Sequence, residues 1–139
     1  MIRYITTPET ITPDQLIGFF VGWPKPPTPE THLAMLKAAN HIVLAIDSAT
    51  DNVVGFINAI SDRILSAYIP LLEVLPEFKN RGIARELIQR MLAELDGLYM
   101  IDLTCDTSLQ PYYEKLGLTK MSGMMKRDYT QQAEQPRKI

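Results

Sequence analysis

Apolar residues recur at Ile83, Leu87, Ile88, Met91, Leu92 and Leu95, and Arg85, Glu86, Gln89, Arg90 and Glu94 fill the positions between them. This is the 3.6-residue period of a helix that buries one face. Gly97 follows as its stop signal. Upstream the period changes. Residues 41–46 and 53–60 are apolar runs separated by the turn formers of 47–52, which predicts a β-hairpin with a longer loop. A third run, 64–75, follows the break at Ser61-Asp62. Pro70 lies inside it and has no N–H to give to a ladder, so a bulge or bend is expected there. Three strands in succession predict an antiparallel meander. Residues 2–6 add a short first strand, and 98–104 add another after the helix.

Two helices are expected between the first strand and the hairpin. Thr12-Pro13-Asp14 is a start signal, with threonine as N-cap and proline in the first turn. Leu16, Ile17, Phe19 and Phe20 then mark an amphipathic helix, which the prolines of Trp23-Pro24-Lys25-Pro26-Pro27 must break. Thr28-Pro29-Glu30 starts a second one. Its apolar face carries Leu33 and Leu36, with Met35 at the edge, and it ends near Ala39 or Asn40. Toward the C-terminus, Asp106, Thr107 or Ser108 caps a short helix that has Pro111 in its first turn and closes at Gly117. Residues 118–129 hold two further short strand candidates around Ser122-Gly123. From Thr130 the chain is polar and expected to fray. The reading is one domain, 1–129, with a polar tail, 130–139, and no internal repeat.

The 139 residues are 46% hydrophobic and 22% charged, which suits a single globular core and not disorder. A net charge of −2 supplies no field that would draw nucleic acid. No apolar run approaches the roughly 20 residues that span a bilayer. The N-terminus lacks the apolar core of a signal peptide, and the single Cys105 has no internal partner for a disulfide. Together these lead us to expect a cytoplasmic protein. Two histidines and one cysteine offer no metal-ligand spacing, so no metal is expected.

The chemistry concentrates where the third apolar run meets the long helix. Lys79, Asn80, Arg81, Gly82, Ile83 and Ala84 form a basic turn at the helix mouth. The first N–H groups of a helix lack intrahelical partners, and its dipole favours an anion there. Gly82 and Ala84 leave room for a phosphate to approach the backbone. The bland alternative is a tight strand-to-helix turn that binds nothing. The motifs of nucleotide hydrolases and nicotinamide enzymes are absent.

This turn resembles the acyl-CoA-binding motif of the GNAT family of N-acetyltransferases: Gln or Arg, two residues, Gly, one residue, then Gly or Ala. Lys79 stands at the first position, which keeps the charge and loses the planar fork. The flanks also match. Residues 72–76 resemble the family's strand ending in Val-x-Pro, and residues 111–118 its Phe-Tyr-Glu-Lys-Leu-Gly-Phe segment. The resemblance covers roughly residues 53–118. It implies an α/β fold of the GNAT type, with a mixed, mostly antiparallel sheet flanked by helices on both faces. It further implies direct transfer of an acetyl group from acetyl-CoA to a primary amine in a ternary complex. The acceptor would be a small-molecule or protein amine, and a homodimer is compatible with the family. A longer acyl chain, or an acyl-CoA-binding sensor without turnover, is the alternative.

Roles follow from the resemblance residue by residue. The amides of Arg81 to Arg85 would hold the CoA pyrophosphate. The backbone of Leu72 and Val74 would hold the pantetheine arm and the thioester, with an N–H aimed at the oxygen that gains charge. Tyr113 would protonate the departing thiolate; otherwise it is a packed tyrosine, with Tyr112 before it in the core. Glu73 points to the opposite face from Leu72 and Val74. It is a candidate general base, an amine anchor, or a paired structural acid. Asp102 competes with it. Trp23 either lines the acceptor pocket or pins its loop. Asp106 departs from the family's asparagine, so capping is assigned to it instead of a cofactor contact.

Overall fold

The structure is a computed structural model that describes residues 1–133. Its centre is a meander. Strand β1 (Ile2–Ile5) pairs antiparallel with β2 (His41–Asp47), and β2 with the long β3 (Asn52–Ser61). The third apolar run divides into β4 (Ser66–Ile69) and β5 (Leu72–Val74), and both pair antiparallel with β3. From Ile60 to Ile57 on β3 is three residues, whereas their partners Tyr68 and Leu72 are four apart. The extra residue is the bulge expected at Pro70. Asn58 seals it: its N–H donates to the Leu71 carbonyl (3.3 Å) and its side-chain oxygen accepts from the Leu71 N–H (3.1 Å). The last strand, β6 (Met100–Leu103), joins β4 in parallel, giving a mixed sheet of order β1-β2-β3-β4-β6 with β5 off this path.

Each face of the sheet has its own core. Helix α2 (Ile83–Glu94) buries Ile83, Leu87, Ile88 and Met91 against Val43, Ala45, Ile57 and Val74. Gly55 lies under it, where an added Cβ would sit 3.1 Å from Leu87. On the other face, α1 (Pro29–Ala38) presses Leu33 and Leu36 toward Leu44, Ile46, Val53 and Phe56. Thr28 caps α1 by accepting from the Thr31 N–H (3.2 Å).

Two expectations are corrected. Residues 12–22 form no amphipathic helix, only a 3-10 turn at Pro13–Gln15. Gly18 (φ 99°), Phe20 (φ 63°) and Gly22 (φ 84°) all take left-handed backbone, which no right-handed helix accommodates. Leu16, Phe19 and Phe20 still reach the core, but as loop side chains, while Ile17 is exposed. The two strands expected within 118–129 also do not form. That stretch is irregular and almost wholly exposed up to a 3-10 turn at Tyr129–Gln131. The short helix α3 (Gln110–Glu114) does form after a 3-10 turn, with Pro111 in its first turn. Gly117 at φ 97° closes it, its N–H bonded to the Glu114 carbonyl. Of the expected polar tail, residues 134–139 lie outside the described residues. Among the described residues, no helix is long and apolar enough to cross a membrane.

Candidate functional site

The site begins at the split in the third strand. β5 pairs with β3 on one side only, because β6 follows β4 and not β5. In an antiparallel ladder, alternate residues point their N–H and C=O toward the partner. Leu71 and Leu75 bond to β3 through Asn58 and Val54, so Glu73 faces β3 as well. The backbone groups of Leu72 and Val74 therefore point outward, toward the unpaired edge. This pair of residues presents backbone donors and acceptors to whatever lies alongside.

A 3-10 turn at Pro76–Phe78 leads from β5 to the basic turn. Asn80 (φ 63°) and Gly82 (φ 78°) are both left-handed. The first helical bond runs from the Glu86 N–H to the Gly82 carbonyl (3.1 Å). Among the described residues, no N–H from Asn80 to Arg85 has a protein acceptor, and no side chain caps α2. An added Cβ on Gly82 would meet nothing within 4 Å, so the amides open onto free space. Lys79, Arg81 and Arg85 are exposed around them. Arg81 is held over the Phe78 ring at 4.9 Å. Ile83 is buried and Ala84 half-buried, which anchors the turn to the core. Free amides at the mouth of a helix, set among three cations, are an arrangement that can receive a multiply charged anion.

Tyr113 on α3 is half-buried, packed against the core under α2. Burial, reinforced by the Cys105 thiol and Tyr112, raises its hydroxyl above the usual phenol range, so it carries its proton at neutral pH. Tyr112 is 36% exposed and not the core residue expected. It meets Tyr113 edge-on (5.5 Å) and lies near enough to Arg85 to feel its charge. α3 therefore stands beside the mouth of α2. Asp106 is the N-cap of the 3-10 turn at Thr107–Leu109 that leads into α3, and its side chain makes no capping bond there, so the capping assigned to it does not form.

Glu73 lies on the face opposite Val74. One carboxylate oxygen accepts from the Phe20 N–H (2.8 Å) and the other from the Val21 N–H (3.2 Å). This ties the irregular 16–23 segment to β5 and explains how Phe20 holds its left-handed backbone. Each oxygen keeps a second lone pair. Asp102 is exposed on β6, in register with Tyr68 and not with β5. Trp23 leans on Phe20, their rings 5.0 Å apart. Among the described residues, no group of three His, Cys, Asp or Glu side chains is placed to hold a metal ion.

One buried group was not singled out in the sequence. His32 is 1% exposed and ringed by Phe19, Phe20 and Phe56 at 5.2, 4.9 and 4.4 Å. Neither ring nitrogen has a hydrogen-bond partner. The available signal was its spacing: four residues before Leu36, it shares that residue's inward face. Burial lowers its pKa from 6.5 to about 4. The unfolded chain therefore takes up this proton before the folded one does. Stability from neutral His32 is complete above pH 6.5 and drains away as pH falls toward 4, by about 2.5 kcal/mol at pH 4.5. Denaturant unfolding at pH 7 and 4.5 should show His32→Phe losing correspondingly less than the parent. Equal losses would remove His32 from the acid response.

The family model of the GNAT acetyltransferase domain matches residues 22–131. The chain belongs to that family. Its structure is similar to that of a Deinococcus radiodurans R1 protein classed as an acetyltransferase, at 49% identity and TM-score 0.94, over 98% of this chain and 94% of that one. A GNAT-family acetyltransferase of Streptococcus pneumoniae TIGR4 is 25% identical, with TM-score 0.73 over 92% and 98% of the two chains. Glucosamine-6-phosphate N-acetyltransferase of Arabidopsis thaliana, 11% identical with TM-score 0.66 over 92% and 98%, shares the fold alone. Among curated proteins none matches the chain.

Proposed function

We propose that the protein transfers an acetyl group from acetyl-CoA to a primary amine by direct attack in a ternary complex. The observation that carries this is the pairing of a free-amide turn with an unpaired strand edge one short turn away. The amides of Arg81 to Arg85, with Lys79 and Asn80 beside them, fit a pyrophosphate, and Gly82 leaves it room. The outward backbone of Leu72 and Val74 fits a pantetheine arm, which carries amides of its own. A Val74 N–H aimed at the thioester oxygen would favour the charge that builds there during attack.

The residues divide the proton work. Tyr113 keeps its proton at neutral pH and gives it to the departing thiolate. Glu73 orders the acceptor side through Phe20 and Val21, and takes the amine's proton through a bridging water on its free lone pairs. Asp102 lies on a different strand and is assigned to the rim of the acceptor side, as is Trp23.

The direct test is amine-dependent release of CoA thiol from acetyl-CoA, followed over a panel of amines. Binding of acetyl-CoA with no release for any amine would favour the sensor reading. Glu73→Gln separates base from tether. As a base, its loss should lower kcat about 10- to 100-fold. A tether alone would raise the amine KM and leave kcat unchanged.

A further inference from the structure

The α1 core covers one face of the sheet only over β2 and β3. Beyond it the same face is bare. Ile60 on β3, Tyr68 on β4 and Asp102 on β6 stand in one row, and Met100 adjoins them on β6. Phe56, four residues before Ile60 on the same strand, belongs to the α1 core, so the row lies on that face. Ala67, Ile69, Ile101 and Leu103 point the other way, into the core under α2, where Tyr113 of α3 also packs. Ile60 is 57% exposed, and Tyr68 and Met100 are exposed beside it. Ile64 is bare in the loop that joins β3 to β4.

The second unpartnered feature is the stretch after α3. The Leu118 N–H bonds the Tyr113 carbonyl (3.2 Å), and then the ladder of contacts stops. Among the described residues, no backbone group from Thr119 to Arg127 bonds another backbone group. Met121 is 84% exposed, Met124 fully exposed, and Met125 and Tyr129 largely so. Ordering such an arm costs about 1–2 kcal/mol per residue, and its own domain repays little of that. Its contacts there are slight: Lys120 lies 3.9 Å from Glu114, and an added Cβ on Gly123 would lie 3.9 Å from Thr104.

We propose that the arm, residues 118–129, lies over the bare face of a second copy of this chain, in a two-fold dimer that exchanges arms. Three observations fit the two surfaces to each other. Methionine is flexible and polarizable, which suits an irregular arm that settles on an apolar face. The charges are complementary: Lys126 and Arg127 on the arm meet a face that carries Asp102, with Asp62 at its margin, and none of the four has an ion pair among the described residues. The area is sufficient. The four large apolar side chains of the arm and the three of the face expose on the order of 1,000 Å², against about 800 Å² that each partner gives to a standard interface. A second copy supplies both halves, an arm for this face and a face for this arm, and closes the symmetry. A foreign partner would cover only one of them. The proposal goes beyond acetyl transfer and does not rest on it.

Sedimentation equilibrium of the full chain tests it. The parent should run at twice the 15.8 kDa of the chain. Met124→Lys on the arm and Ile60→Glu on the face should each weaken the dimer at least about 30-fold, as loss of a central apolar contact does. Both residues are exposed, so thermal melts of the monomers should match the parent. Ile17→Lys, an exposed apolar position away from both surfaces, should leave the dimer intact. An equimolar mixture of the two interface variants should recover association. Each mixed dimer holds one untouched arm-on-face contact and one that sets lysine against glutamate. A parent that stays monomeric up to the tenth-millimolar range would overturn the proposal. So would a dimer that survives either substitution, which would use another surface, or a mixture no tighter than the variants alone, which would mean that arm and face do not meet.

Discussion

The Gly82→Glu variant should lose acetyl-CoA affinity at least about 100-fold while remaining folded. Its side chain would project into the open space that faces the six free amides. A carboxylate there competes for the same donors as the pyrophosphate and repels it. At about 4 Å and an effective dielectric near 20, a like-charge contact costs about 4 kcal/mol, and each 1.4 kcal/mol is tenfold in affinity. The fold has less at stake. Left-handed backbone at φ 78° costs a non-glycine residue about 1–2 kcal/mol. An anion at the N-terminus of α2 returns about 0.3–1 kcal/mol of it. Gly82→Asn is the control, since asparagine tolerates this conformation without adding charge. It should bind acetyl-CoA much better than the glutamate variant. Calorimetry and thermal melts on the pair check both halves, and unchanged affinity in Gly82→Glu would sink the turn assignment.

Tyr113→Phe should reduce kcat about 100-fold and leave acetyl-CoA affinity within about twofold. General acids contribute roughly 10²- to 10⁴-fold. The phenyl ring keeps the packing against the core under α2, so the lost atom is the hydroxyl alone. Cys105 is close enough to act on Tyr113 electrostatically, which leaves a thiol near the vacated position. Cys105→Ser in the same background checks that it does not substitute. Steady-state kinetics across pH, with calorimetry for affinity, separates chemistry from binding. A variant as active as the parent at every pH would remove the general-acid role.

The parts legible in the sequence are those where local chemistry and tertiary packing agree. The stripe from Ile83 to Leu95 is both helical in period and buried in one core. Pro70 lacks an N–H in any setting, so its bulge was readable without knowing the partner strand. The turn at 79–84 was readable because glycine and adjacent cations have few other uses at a helix mouth. The N-terminal segment misleads for a physical reason. Leu16, Phe19 and Phe20 have a helical spacing, yet the Phe20 and Val21 N–H groups bond the carboxylate of Glu73, 53 positions beyond Phe20, and not the carbonyls of a helix. No local pattern reveals such a partner. Residues 118–128 hold a single β-branched residue, Thr119, and stay almost wholly exposed although β6 ends the sheet and Gly123 lies near Thr104 just past it, so they form no strand. His32 escaped because a lone histidine on an apolar helix face carries no motif.

The measurement closest to the central claim is calorimetric titration of the purified protein with acetyl-CoA, dephospho-CoA and free pantetheine. The account predicts that acetyl-CoA and dephospho-CoA, which both carry the pyrophosphate, bind with affinities within about tenfold of each other. Pantetheine should bind at least about 100-fold more weakly, since more than 2.7 kcal/mol would rest on the amides of Arg81 to Arg85 and their cations. Pantetheine binding as tightly as acetyl-CoA, or no binding of any of the three, would contradict it. The turn at 79–85 would then be a helix cap and nothing more.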